Sequence, residues 1–102
     1  MNQYYIYIMS SPHGVLYTGV TNNIWYRVLT HKLRKQHSFT QKYNITRLVY
    51  YEETRYISDA LAREKEIKGW RRSKKINLIR ELNKNFIDLS KDWYSEEDLK
   101  PG

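Results

Sequence analysis

No cysteine occurs in the chain, so disulfides and thiolate metal sites are excluded. That absence is compatible with the cytoplasm, the compartment expected here. No stretch approaches the ~18 consecutive apolar residues of a membrane span, so no membrane partner is expected. The N-terminal MNQYYIYIM has neither the basic nor the long apolar region of a signal peptide. Internal repeats and low-complexity tracts are absent as well. The 102 residues leave room for one small domain and not for two, and 40% apolar content supports a modest core. Acidic residues are scarce through most of the chain: residues 1–83 carry fifteen Lys/Arg against six Asp/Glu, whereas residues 84–102 carry three against five. The body is as basic as a polyanion binder, and the end is a slightly acidic appendage. Basic domains that bind nothing also exist, so charge alone does not decide.

What is present is tyrosine in β-rich runs. Tyr4–Met9 and Val15–Val20 flank the turn residues Ser10–Gly14, which contain Pro12 and Gly14, and read as a hairpin. A symmetric five-residue loop sets Met9 opposite Val15, Tyr7 opposite Tyr17 and Tyr5 opposite Gly19. The phenols of Tyr7 and Tyr17 then emerge on one face with a glycine close by. Thr21, Asn22 and Asn23 offer caps for a helix over Ile24–Lys35. Gln36–Ile45 is a polar connector, and Thr46–Glu53 is a third strand. A second helix capped by Ser58 or Asp59 stops near Gly69, and a third, capped by Ser73, runs to Asn83. The order β-β-α-β-α-α predicts an α+β fold, a small three-stranded and mostly antiparallel sheet flanked by helices. A domain is expected over residues 1–90, with a frayed tail over 91–102. Phe86, Leu89 and Trp93 are the residues expected to dock on it.

Several polar residues sit where apolar ones are expected. On a helical wheel of the second helix, Ile57, Ala60, Leu61 and Ile67 form the apolar stripe with Glu64 at its centre. Such a carboxylate needs a partner, either a cationic side chain in a buried ion pair or a metal; Glu66 points to solvent and needs none. Arg27 and His31, four apart, share a helix face, with Arg34 one turn on. That face is either an ordinary solvated one or a phosphate contact. His13 and His37 have no comparable setting. Asn83 falls on the third helix's stripe with Ile76 and Ile79, as a C-cap or as a site residue. The joint KGWRRSKK sets Lys68, Arg71, Arg72, Lys74 and Lys75 around Trp70, either a phosphate-tracking patch or an ordinary charged turn. Together these residues match the needs of metal-assisted phosphodiester hydrolysis. A carboxylate anchors Mg²⁺, an arginine neutralises charge on the phosphate, and a phenol handles the attacking water.

YIY (Tyr5–Tyr7), nine residues, YTG (Tyr17–Gly19), then Arg27, His31 and Glu64, resemble the GIY-YIG nuclease superfamily. VLYTGVTNNIWYRVLTHK and ALAREKEIKGWRRSKKINLIRELN resemble its small single-domain members, which are similar to the N-terminal nuclease domain of the excision-repair endonuclease. The resemblance covers residues 4–90. It implies catalytic roles for Tyr7, Tyr17, Arg27 and His31, a metal-ligand role for Glu64, and an active-site position for Asn83. It also implies Mg²⁺ or Mn²⁺ as cofactor, DNA as the nucleic-acid partner, and a structure-directed or partner-directed endonuclease. Arg34 and the basic joint are the expected nucleic-acid contacts. Tyr17 ranks ahead of Tyr7 as the base, because a phenol with a pKa near ~10 must be acidified or must orient water without fully deprotonating it.

Three departures stand out. Tyr5 replaces the leading glycine, Thr18 replaces isoleucine, and Val20 stands where some repair relatives carry lysine. The DNA-binding module of larger relatives has no counterpart here, so specificity is expected from nucleic-acid structure or a protein partner. The alternative function is a non-catalytic nucleic-acid-binding module or adaptor with a vestigial site.

Overall fold

Strict alternation in the first strand buries it from both sides, and the fold follows from that. The computed structural model describes residues 2–33 and 42–100. Its elements are β1 (Tyr4–Ser10), β2 (Leu16–Thr21), α1 (Ile24–Lys32), β3 (Arg47–Thr54), α2 (Ile57–Lys68) and α3 (Arg72–Leu82). The strands form one antiparallel sheet in the order β2-β1-β3, the α+β architecture expected. Ile6 and Ile8 point to one layer, where Val49 and Tyr50 meet Ala60 and Ile67 of α2 and Ile79 of α3. Tyr7 and Met9 point to the other, with Ile24 and Val28 of α1, Ile45 and Leu48. Phe86 docks on the first layer, and Leu89 and Trp93 dock on the second, as expected.

The hairpin register differs from the expected one by two residues. Ser10 extends β1 to pair with Leu16, so Tyr7 faces Gly19 and Met9 faces Tyr17. The cause is Ser11, whose N–H donates to Val15 O at 2.9 Å while its hydroxyl accepts from the amides of His13 (3.2 Å) and Val15 (2.9 Å). A loop closed in this way spans Ser11–Val15. Since side chains alternate with period two, a two-residue shift leaves every side chain on its expected face.

Helix ends also move. Asn23 caps α1, accepting from Tyr26 N at 3.0 Å, and the described helix ends at Lys32. The expected continuation to Lys35, the connector's first residues, Arg34 and His37 lie outside the described residues. Helix α2 begins at Ile57 after Tyr56, and α3 begins at Arg72 after Arg71, neither with a side-chain cap. Ser58, Asp59 and Ser73 are therefore not the caps. The α2 stripe is narrower than expected: Ala60 and Ile67 are fully buried, but Ile57 and Leu61 stay about half exposed. Counting those two as core turned the expected axis by roughly 50° at 100° per residue. Glu64 therefore lies at the edge of the buried face, not at its centre.

Candidate active site

Tyr7 is the centre of the site. As a residue of the middle strand its ring is fully buried, and it lies directly on Gly19 of β2. A Cβ at Gly19 would stand 2.5 Å from the Tyr7 Oη and 2.6 Å from Cζ, so only glycine leaves the ring its bed. The phenol reaches Arg27, whose guanidinium donates to it. It also stands 3.4 Å from Nε2 of the buried His31. Both partners come from one face of α1, and the four-residue spacing brings them to one phenol.

Tyr17 completes the aromatic set. Its ring centroid is 6.4 Å from that of Tyr7 and 5.4 Å from that of His31. Tyr17 is only half-buried, unlike Tyr7. Desolvation drives the Tyr7 pKa well above the ordinary tyrosine range, with the Tyr17 phenol adding to the rise. Arg27 opposes it by charge and hydrogen bond, and Glu64 raises it further. Tyr7 is thus held as a neutral phenol.

Glu64 arrives from the opposite layer. Helix α2 is clamped by its neighbour Arg63, which binds Glu52 Oε1 of β3 at 2.7 Å and Glu66 Oε1 at 2.8 Å, with its guanidinium 5.2 Å from the Trp70 ring centroid. Glu66 therefore does have a partner, contrary to expectation, because an i,i+3 spacing along α2 places it beside Arg63. Tyr50 donates to Glu52, and burial followed by that bond pushes the Tyr50 hydroxyl up to about 12. The clamp fixes α2 in rotation and leaves Glu64 on the edge facing Tyr7. Its carboxylate pairs with Lys68 at 3.0 Å, one turn along. Four elements thus converge, β1 with Tyr7, β2 with Tyr17, α1 with Arg27 and His31, and α2 with Glu64.

Asn83 is not part of this convergence. A bulge in the β1–β3 register between Ile8 and Met9 leaves Val49 as the extra residue. Asn83 Nδ2 donates to the Val49 carbonyl at 3.0 Å and to Ile87 O at 2.8 Å, and its Oδ1 accepts from Ile87 N at 3.0 Å. The residue is the α3 C-cap, and its amide is committed to backbone. Asn83→Ala is expected to destabilise the fold by about 2 kcal/mol in urea unfolding, with nuclease activity per folded molecule unchanged. A catalytic asparagine would instead lose activity at full stability. Of the basic residues, Arg71, Arg72 and Lys74 are exposed. Lys74 covers Trp70 at 4.3 Å, and Arg72 abuts the hairpin turn at Gly14.

The residue pattern gave no signal for Asp88, which secures the α1 side of the site. Its carboxylate takes Lys32 Nζ at 2.6 Å, Leu48 N at 3.1 Å, and Ser90 N and Oγ at 3.0 and 2.7 Å. Burial alone would raise its pKa, but the Lys32 and Ser90 bonds outweigh it and hold the carboxyl below its ordinary value. A depressed folded-state pKa contributes stability above the unfolded value, near ~3.9, which is lost as pH falls through the folded one. Below pH ~4 the natural protein should therefore lose stability more steeply than Asp88→Asn. At pH 7 that variant should be less stable by about 2 kcal/mol, since it leaves Lys32 unpaired. Denaturation midpoints across pH 2–7 check both.

This arrangement of residues defines a class, and comparison with known proteins agrees with it. A family model described as the GIY-YIG catalytic domain matches residues 3–77, and the chain belongs to that family. More narrowly, it is similar to UPF0213 proteins. One from Staphylococcus saprophyticus is 40% identical over 81 residues, covering 79% of this chain and 99% of that protein. One from Staphylococcus haemolyticus is 37% identical with the same coverage. The solution NMR structure of a UPF0213 protein from Bacillus halodurans matches with a TM-score of 0.56 and 26% identity, covering 91% of this chain and 99% of that one.

Proposed function

We propose that this protein is a divalent-metal-dependent endonuclease that hydrolyses a phosphodiester bond of DNA, with its target set by nucleic-acid structure or by a protein partner. The observation that carries the proposal is the placement of Tyr7 against Arg27, His31, Tyr17 and Glu64. Among the described residues no group of three or more His, Asp or Glu could hold a metal ion. Glu64 is a lone carboxylate, its side chain 19% exposed, and that donor set suits Mg²⁺ or Mn²⁺, which keep several waters and share their remaining positions with substrate phosphate. When bound, such an ion supplies Lewis-acid stabilisation of the phosphate and an acidified water.

The chain's own residues divide the rest of the work. Arg27 neutralises charge that builds on the non-bridging phosphate oxygens. Tyr7, buried and held neutral, orients Arg27 and donates a hydrogen bond. Tyr17, half-exposed beside it, receives or orients the proton of the attacking water as the new P–O bond forms and the P–O bond to the leaving sugar oxygen breaks. His31 holds both phenols through its ring contacts. Lys68 is released from Glu64 when the carboxylate takes the metal, and joins Arg71, Arg72, Lys74 and Lys75 as a contact to the DNA backbone.

Plasmid and branched DNA with Mg²⁺ or Mn²⁺ test the proposal. Cleavage should stop on chelation and fall about 10²-fold in both Glu64→Gln and Arg27→Ala. Full-rate cleavage in both variants would sink it. The Glu64–Lys68 ion pair favours a second reading, a binding module whose carboxylate is permanently neutralised. Salt-dependent DNA binding with no cleavage in any divalent ion would select that reading.

A further inference from the structure

A cavity of about 390 Å³ lies away from the site just described, lined by Tyr5, Ile24, Trp25, Tyr51, Glu53 and Trp93. That volume falls at the lower end of the ~300–1,000 Å³ of ligand pockets. Period two in the strands brings Tyr5 of β1 and Tyr51 and Glu53 of β3 to one sheet face. On α1, Trp25 precedes Arg27 by two residues and so lies on the opposite flank of the helix. The helix therefore separates this cavity from the Tyr7 cluster. Its walls meet edge to face: Tyr5 and Tyr51 centroids are 6.2 Å apart at 61°, and Tyr51 and Trp93 are 6.1 Å apart at 74°. Trp25 Nε1 donates to Trp93 O at 3.3 Å, and Tyr94 Oη donates to Trp25 O at 2.7 Å, which ties the C-terminal segment into the wall.

The charge here is opposite to that of the rest of the molecule. In a chain of net charge +7, none of the six lining residues is Lys or Arg. Glu53 contributes a carboxylate bonded to the neutral amide of Gln3, and it forms no ion pair among the described residues. Four π faces and one carboxylate attract a cation. The aromatic walls offer few acceptors, so a primary ammonium would leave N–H groups unsatisfied, whereas a fully alkylated one has none to satisfy. Phosphate-bearing ligands are disfavoured by Glu53.

We propose that this cavity is an aromatic cage for a quaternary ammonium group, with Glu53 as its counter-charge. Nuclease activity is not required for it. The group could belong to a free small molecule or to a trimethylated lysine of a partner protein, and the two sources are separable. The test is a titration of the ¹⁵N-labelled full chain, following its three tryptophan indole signals. Choline should shift the Trp25 and Trp93 signals and leave Trp70 in place, while 3,3-dimethyl-1-butanol, its neutral isostere, should do neither. Glu53→Gln should weaken choline binding roughly tenfold without loss of fold. A trimethyllysine peptide that binds at least as tightly as choline identifies a protein side chain as the source, and choline binding alone identifies a free ligand. Equal binding of the isostere, tighter binding of guanosine monophosphate, an unchanged affinity in Glu53→Gln, or no shift with either cation overturns the proposal.

Discussion

Gly19→Ala is expected to remove nearly all DNA cleavage and to destabilise the fold by about 1–3 kcal/mol. The added Cβ would stand 2.5–2.9 Å from Oη, Cζ and Cε1 of Tyr7, closer than carbon contacts allow. A flexible side chain would swing away cheaply, but this ring is fully buried and bonded to Arg27 and His31. Whatever moves, the phenol leaves Arg27 or the two strands part. Gly69→Ala is the control. A Cβ there meets only backbone oxygens at 3.5 and 3.7 Å, and Gly69 has the ordinary φ of −79°, so stability should hold or rise by a few tenths of a kcal/mol. Urea unfolding and a plasmid-nicking assay measure both variants. Cleavage at the natural rate in Gly19→Ala would show that the Tyr7 position does not matter to the reaction.

Tyr17→Phe should cost about 10³-fold in cleavage rate, in the range of a lost general base, with little change in stability. Tyr7→Phe should behave differently. Its ring fills the core, so the fold should survive, and the lost phenol leaves an Arg27 N–H without its acceptor at a cost of about 1–2 kcal/mol. The rate should fall only about tenfold, because Arg27 remains within reach of the phosphate. The asymmetry follows from exposure and charge: Tyr7 is sealed from water and held neutral by burial and by Tyr17, while Tyr17 is half-exposed. Single-turnover rates of the two variants, each corrected for folded fraction, decide the matter. The reverse ranking would make Tyr7 the base.

Much of this site was legible before any coordinates, and its local parts were the legible ones. Alternation along YIYIM and LYTGV put Tyr7 and Tyr17 on one face whatever the register, because parity survives a two-residue shift. The four-residue step from Arg27 to His31 put both on one side of α1. Glu64 stood out because a carboxylate among apolar neighbours needs a partner. Missing from the residue pattern was the closure of the hairpin by the Ser11 side chain, which set Tyr7 over Gly19. Also missing was the α2 rotation, which Arg63 fixes by gripping Glu52 of a distant strand. Asn83 shows the limit most plainly: its stripe position fits a site residue or a C-cap equally, and the Val49 bulge it serves exists only in the assembled sheet.

Sequence alone therefore determined the element order, the faces and the chemical repertoire of the site, since periods of 2 and 3.6 residues are properties of neighbouring positions. Tertiary structure decided which phenol is sealed and which is open, that Asn83 holds backbone, and that five residues spread from Tyr5 to Trp93 enclose a second cavity with Ile24. Those outcomes depend on how far apart packed elements come to rest. That distance is set by side chains remote in sequence, and no local period encodes it.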